Sequence, residues 1–442
     1  MLRCIHRAGA ALALLVCSLP GIAQDAYLTN CFVPRYWKAN TAWTLEARVR
    51  NLVSGAPLTA YRIDWRYNNG AVQTGNWQNS TGINPGQYMI YTHPIAFNQP
   101  AASGTLKLWV VGIGDTNHAN DTLTFPVNVL AAWATKSVLL EQYTGTWCQW
   151  CPPPNATTNS MDSDPLVVVA KHHNMDEFSD AASTAYWVQF GADYSPSGVM
   201  EQEEFGTLQD DAAYDQWPAR ADQRKQGVSP VLLTVSATVP ESSRTLTVSV
   251  SAQFMAAQPG DYVLNAYVLE DGVPGPQTNA PAGYVHNQVV RAVLGGAAGT
   301  TGAIPANPGA GTYAHQYTFD LPEAWDMDHL RVAAMVTERR AIGSWTVNVG
   351  DADVVMVGVP ERDAAWARVW PNPSSGALVV ATERTGPARY RVQDAAGRVV
   401  LEGGFAGQRH VLADFETLVP GLYAVRVEQA GAVTTHRVVR ER

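Results

Sequence analysis

Two cysteines with two residues between them, Cys148 and Cys151, follow an apolar run and a glycine turn in VLLEQYTGTWCQWCPPP, Val138 to Pro154. Val138, Leu139 and Leu140 read as a buried strand and Gly145 as a turn. The residues beyond it read as a helix whose first turn carries both thiols. A thiol at a helix N-terminus meets unpaired backbone N–H groups and the positive end of the dipole, which favours its thiolate. In thiol–disulfide exchange Cys148 is then the attacking sulfur, and Cys151 resolves the mixed disulfide. Glu141, on the preceding strand, is a candidate proton acceptor for Cys151, because burial beside a sheet raises a carboxylate toward a useful range. Its alternative is a solvent-facing strand residue.

The same pair admits two further readings. A zinc site needs two more Cys or His ligands, and the candidates His172 and His173 are neighbours on a strand, so their rings face opposite ways. A structural disulfide, closed once in an oxidising compartment and never turned over, needs no other residue. Spacing alone does not separate it from an exchanging pair.

The elements that must position this pair follow in order. Leu166 to Ala170 is a short continuous apolar run, as in a strand buried on both faces; Asp180 to Phe190 is helical. Ser195-Pro196 stands between a loop and a short strand, and a polar helical stretch runs through Asp210 to Lys225. Strand alternating with helix implies a parallel sheet, so residues 132–228 read as one α/β domain. His172, His173, Asn174 and Asp176 end its second strand, at the edge where such sheets place functional groups, although plain loop polarity explains them as well. The helical pair Tyr186 and Trp187 reads as core.

The rest of the chain is β-rich. Residues 25–131 alternate as in an antiparallel sandwich, with Trp43 to Val49, Tyr61 to Tyr67 and Leu106 to Ile113 as strands and Asn68-Asn69-Gly70 as a turn. The loop Gly114 to Asp121 reads as a turn held by Asx hydrogen bonds, or as a cation site of carboxylate and amide oxygens. Residues 229–359 read as a second sandwich, with strands at Val231 to Val239, Thr245 to Phe254, Tyr262 to Leu269, Arg331 to Val336 and Ser344 to Val349. A Gly/Ala/Pro-rich loop spans Gly295 to Gly311. Residues 360–442 form a linker and a last module of about seven short strands.

Composition narrows the function classes. The 442 residues carry a formal net charge of −9, with 46% hydrophobic and 16% charged residues. Residues 132–228 alone hold fourteen acids against five bases, which argues against nucleic acid as a partner. Arg3 and Arg7, the apolar run Ala10 to Val16 and the small-residue ending Gly21-Ile22-Ala23 read as a signal peptide over residues 1–23. Cys17 follows Val16, where a lipoprotein signal carries a small residue. Cys4 and Cys17 leave with the signal, so the exported chain holds Cys31, Cys148 and Cys151 and no disulfide framework. Cys31 reads as a buried small hydrophobe. No later stretch is long and apolar enough to span a bilayer.

Three motifs in the last module carry a resemblance: WPNPSSG at Trp370 to Gly376, VQDAAGRVV at Val392 to Val400 and LVPGLYAVRV at Leu418 to Val427. Together they resemble the type A C-terminal sorting domain of the Bacteroidetes type IX secretion system, with Trp370 where that family more often has tyrosine. The resemblance implies an immunoglobulin-like domain, engagement of that secretion machinery, and passage to the cell surface or the medium. Residues from about Ser137 to Val349 resemble the thioredoxin-fold family related to a twenty-eight-kilodalton outer membrane protein. LLEQYTGTWCQWCP at Leu139 to Pro152, VVVAKHHNMD at Val167 to Asp176 and YSPSGVM at Tyr194 to Met200 carry it. It implies a cis-proline at Pro196 packed on the two-cysteine site, with Trp147 and Pro152 beside the sulfurs. No cofactor is implied. Two functions are therefore expected: a surface-directed thiol–disulfide exchanger with an unknown redox partner, or a non-enzymatic surface binding or scaffold protein whose disulfide is fixed.

Overall fold

Val138–Thr144 (β1) is buried along its whole length, as is Val167–His173 (β2), and the two pair in parallel from Val138 opposite Val167 to Thr144 opposite His173. Residues 138–140 and 167–170 are continuously apolar, as a parallel sheet covered on both faces demands. Pro152–Met161 (α1) connects them. Ala181–Gln189 (α2) follows, capped by Asp180, which accepts from the Ala182 N–H. Ser197–Met200 (β3) then lies antiparallel to β1, and Trp217–Lys225 (α3) closes the segment. Leu139, Tyr143, Val168 and Ala170 meet Tyr186 and Trp187 of α2 on one face. Val138, Leu140, Val167 and Val169 meet Met161 of α1 and Trp217 and Ala221 of α3 on the other. The alternation of strand side chains produces these two cores.

The structure is a computed structural model. It describes residues 24–441 except 53–55, 80–81, 113, 116, 191, 193, 204–213, 241–242, 341–342, 358–365, 396 and 431. The expected signal segment, most of the expected linker and the start of the stretch Asp210 to Lys225 lie outside the described residues. The fold is mostly β, in several sheets, with the one α/β part just given. Two compact units are formed. One holds residues up to Thr234 with Val250–His315 and Ala333–Asp351; the other holds Val235–Ser249, Gln316–Val332 and Ala352–Arg442.

In the first unit, Ala26–Asn30, Glu46–Asn51 and Tyr88–Thr92 form one sheet. Tyr36–Lys38, Thr122–Leu130, Ala102–Gly112, Tyr61–Tyr67 and Gln73–Thr74 form the facing one, in those orders. Leu28, Val49, Ile63, Trp65, Phe97 and Leu108 fill the space between, a β-sandwich core. Cys31 is buried, and burial pushes its thiol up to about 12, so it packs as a hydrophobe. The α/β sheet continues beyond β2. Asp261–Glu270 (β4) pairs antiparallel with Val289–Val293 (β5), and Val289 of β5 registers with Lys171 of β2.

In the second unit, the last module forms two sheets. Ala367–Trp370, Leu378–Thr382 and Arg409–Leu412 make one; Val399–Ala406, Pro387–Asp394, Gly421–Gln429 and Ala432–Arg440 make the other. Leu378, Val380, Val392, Phe415, Val425 and Val427 form its core. The WPNPSSG stretch ties the start of the module to its last strand. Asn372 donates to the Arg437 carbonyl (2.7 Å) and accepts from the Val439 N–H (2.9 Å), and the buried Ser374 N–H donates to the Val439 carbonyl. Tyr423 Oη closes the LVPGLY corner on the Val419 carbonyl at 2.7 Å.

Candidate functional site

Cys148 and Cys151 are joined in a disulfide beyond the C-terminal end of β1. The expectation that both thiols occupy the first helical turn is corrected by the backbone. Cys151 is the N-cap of α1, and Cys148 sits in the preceding turn, where its N–H donates to the Gly145 carbonyl. The cause is the run Pro152, Pro153 and Pro154. Proline has no N–H to bond a carbonyl four residues back, so none of the three can extend the helix toward Cys148, and the helix starts at Pro152 with Asn155 making the first such bond.

That start removes the chemistry expected of a helix N-terminus. All three first-turn residues lack an N–H, and the first amide that could donate, Asn155, is used by the Cys151 carbonyl at 2.9 Å. The Cys151 N–H is in turn given to the Cys148 carbonyl at 3.3 Å. The carbonyls of the turn accept from donors on residues 277–279. Gln277 Nε2 bonds the Cys148 carbonyl (2.8 Å), Asn279 Nδ2 bonds the Gln149 carbonyl (3.2 Å), and the Thr278 N–H bonds the Thr146 carbonyl (2.8 Å). These bonds clamp the turn under residues 277–279. Cys148 is 3% exposed and Cys151 0%.

Asp176 anchors the other side. Its side chain, 2% exposed, accepts from the Thr146 N–H (2.8 Å), the Phe178 N–H (3.0 Å) and His173 Nδ1 (2.7 Å). Burial pushes this carboxyl up, but the His173 ring and the two backbone donors outweigh it and hold the group below its usual range. His286 packs edge-on against His173 and Phe178. Burial drives it down to about 4, so the ring is neutral and its Nε2 donates to the Pro276 carbonyl.

Trp147 precedes Cys148, yet its indole turns outward, 42% exposed, and donates to the Asn174 carbonyl at 2.7 Å. Pro196 follows a cis peptide bond and leads into β3, whose Ser197 registers with Tyr143 of β1; it thus lies at the same end of β1 as the disulfide. Glu141 is brought elsewhere. It is fully buried on the α2 face of β1, where Oε1 meets Tyr267 Oη (2.8 Å), His172 Nε2 (3.2 Å) and Gln202 Nε2 (3.3 Å). Burial, and after it the charge of Glu141, pushes the Tyr143 and Tyr267 phenols well above their ordinary value, so Tyr267 keeps the proton it donates. The residue facing α1 is Gln142, bonded to Asn155 Oδ1 (2.7 Å) and to Thr158 Oγ1 (2.8 Å). A one-residue step along a strand reverses the face, which takes Glu141 away from the sulfurs. His172 and His173 also point to opposite faces, one to Glu141 and one to Asp176.

The clamp residues Gln277, Thr278 and Asn279 had no signal in the sequence, because a loop more than a hundred positions away has no periodicity to place it. The three prolines did carry one, in the N–H groups they lack. Gly145 shows how closely the turn is fitted, since a Cβ there would come within 2.5 Å of Trp147 Nε1. Gly145→Ala should expel the indole from Asn174 and lower stability by about 1 kcal/mol, the worth of one hydrogen bond. Faster N-bromosuccinimide oxidation of Trp147, mapped by mass spectrometry, would register it; an unchanged rate would contradict the packing.

Residues 183–354 match the family described as Outer membrane protein Omp28, and residues 368–441 match the Secretion system C-terminal sorting domain. No curated protein matches the chain. Among solved structures, a beta-glucosidase from Listeria innocua in complex with glucose is 11% identical, with a TM-score of 0.17, over 24% of this chain and 16% of that one. A cycloisomaltooligosaccharide glucanotransferase from Paenibacillus sp. is 16% identical, with a TM-score of 0.18, over 35% of this chain and 20% of that one. A marsupial T cell receptor is 7% identical, with a TM-score of 0.25, over 94% and 99%. The chain thus spans only 16% and 20% of the length of the first two. No helix among the described residues is long and apolar enough to cross a membrane.

Proposed function

We propose that this chain, with its Omp28-type segment and its secretion sorting domain, is a non-enzymatic binding or scaffold protein of the cell surface whose Cys148–Cys151 disulfide stays closed. The export part is plain from the sorting domain, which directs the chain through the type IX machinery to the cell surface or outside. The further reading rests on one observation, the triple proline that strips α1 of its N-terminal N–H groups. An exchanging cysteine needs a stabilised, accessible thiolate. Here the start of α1 offers a reduced Cys148 no N–H, and Cys148 is 3% exposed, while the closed disulfide needs neither donor nor solvent.

Residues 132–228 are read as a thioredoxin-like domain on topology, a β-α-β unit with a third strand antiparallel on the β1 side and the cysteines where the first helix starts. In that reading the fold serves as a platform, and the disulfide holds the start of α1 against β1.

The test uses the full chain equilibrated in dithiol buffers, with insulin reduction measured beside the Cys148→Ser variant. The expected potential is more negative than the roughly −270 mV of thioredoxin, with no reductase activity above the variant. Pro152→Ala with Pro153→Ala should restore donors and speed alkylation of reduced Cys148. Turnover by the unaltered chain, at a potential like that of thioredoxin or higher, would overturn the proposal.

A further inference from the structure

The loop that follows Ala102–Gly112 in the first sandwich brings Asp115, His118 and Asp121 together, with one ligand atom from each lying within 4.8 Å of the others. His118 Nδ1 is 2.7 Å from Asp121 Oδ2. Asp115 is itself held in place, its Oδ2 accepting from the Ala26 N–H (3.0 Å) and its Oδ1 from the Asn117 N–H (3.0 Å). Asp25 adds a third carboxylate close by, bonded by Asn117 Nδ2 (3.1 Å) and Asn120 Nδ2 (2.9 Å). A turn held by Asx bonds accounts for those contacts, and such a turn was one of the two readings of this loop.

It does not account for what is left over. Asp121 is 6% exposed, and its Oδ1 is buried without a partner among the described residues. Asn120 Oδ1 on the same loop and Gln24 Oε1, which approaches Gly114, are also buried and without a partner. All three atoms are acceptors. A buried carboxylate oxygen facing a second carboxylate is costly unless something positive joins it. A turn evolved only for its shape gains nothing from that arrangement.

We propose that Asp115, His118 and Asp121 bind a divalent metal ion of the class that accepts mixed nitrogen and oxygen ligands, zinc above all. One imidazole and two carboxylates supply three protein ligands and leave further positions to water or neighbouring amide oxygens. A calcium site would draw on oxygens alone and would not need the imidazole. The bound ion would join the loop to the first strand, since the Asp115 carboxylate also holds the Ala26 N–H and the Gln24 N–H donates to the Gly114 carbonyl. Nothing in the disulfide region takes part.

The full chain, stripped with chelator, is titrated calorimetrically with zinc chloride and separately with calcium chloride. One zinc ion per chain should bind, and zinc should raise the melting temperature of the native chain. Asp121→Asn should weaken binding by well over about tenfold, the loss seen when even an outer partner of a ligand is removed. The His118 side chain is 73% exposed, so His118→Ala keeps the fold and should also cost at least about tenfold. Circular dichroism of each apo variant confirms folding. Absence of stoichiometric zinc binding, zinc binding indifferent to both substitutions, or preference for calcium unaffected by His118→Ala would each overturn the assignment.

Discussion

Removing residues 366–442 should leave the protein in the periplasm, with none at the surface or in the medium. These residues build their own core around Val380, Val392, Phe415, Val425 and Val427, in two sheets closed by the final strand Ala432–Arg440. That strand pairs with Gly421–Gln429 from end to end, Gly421 opposite Arg440 and Gln429 opposite Ala432. Asn372 and Ser374 tie the opening motif to it. The module is therefore a folded unit that both of its ends complete. A substitution in its core should act like the deletion. Val425→Asp places an unpaired carboxylate at a fully buried position and should unfold the module by several kcal/mol. Fractionation and protease accessibility on intact cells read both variants. Surface delivery of the truncated chain at normal levels would show that export does not depend on this module.

Asp176→Asn should lower the unfolding free energy by about 3 kcal/mol at neutral pH, since it weakens charge-assisted bonds to several donors at a buried position. The donors are the N–H groups of Thr146 and Phe178, the His173 ring and the Ser179 hydroxyl, and the first of these fixes the turn that carries the disulfide. The effect has a defined pH dependence. The folded carboxyl is held below its ordinary value, so its contribution is fully present above the unfolded value of about 4 and is lost as pH falls through the folded value. The gap between wild type and variant should therefore be wide at pH 7 and should close in acid. Urea unfolding at the two pH values measures it, and hydrogen exchange at Thr146 and Phe178 locates it. A difference below about 0.5 kcal/mol at pH 7, the range of an ordinary surface change, would contradict the anchoring role.

Much of the fold was legible from periodicity. The fully apolar runs at 138–140 and 166–170 announce strands covered on both faces, and Asp180 announces a helix start; the structure has β1, β2 and α2 there. The alternating runs after Pro230 all appear as strands, and among its described residues the last module has seven, as its turn spacing suggests. These are local signals, set by side-chain period and turn residues. The burial of Cys31 and the opposite facing of His172 and His173 follow from the same rules.

The candidate site was legible only as a pair of sulfurs. Residue spacing brought Cys148 and Cys151 within reach of each other, and the proline run ahead of Asn155 decided, before any folding, that the helix would begin without N–H donors. Tertiary structure decided the rest. Which face Glu141 takes depends on β1 being sandwiched between α2 and the pair α1 and α3, and that placement gives its carboxylate to His172, Tyr267 and Gln202 instead of to the sulfurs. How the turn that carries Cys148 is held depends on Gln277, Thr278 and Asn279, which arrive from far along the chain. Spacing can place two thiols side by side because that is a property of neighbours. Access to them and the charge around them come from groups remote in sequence, and only the packed chain brings those together.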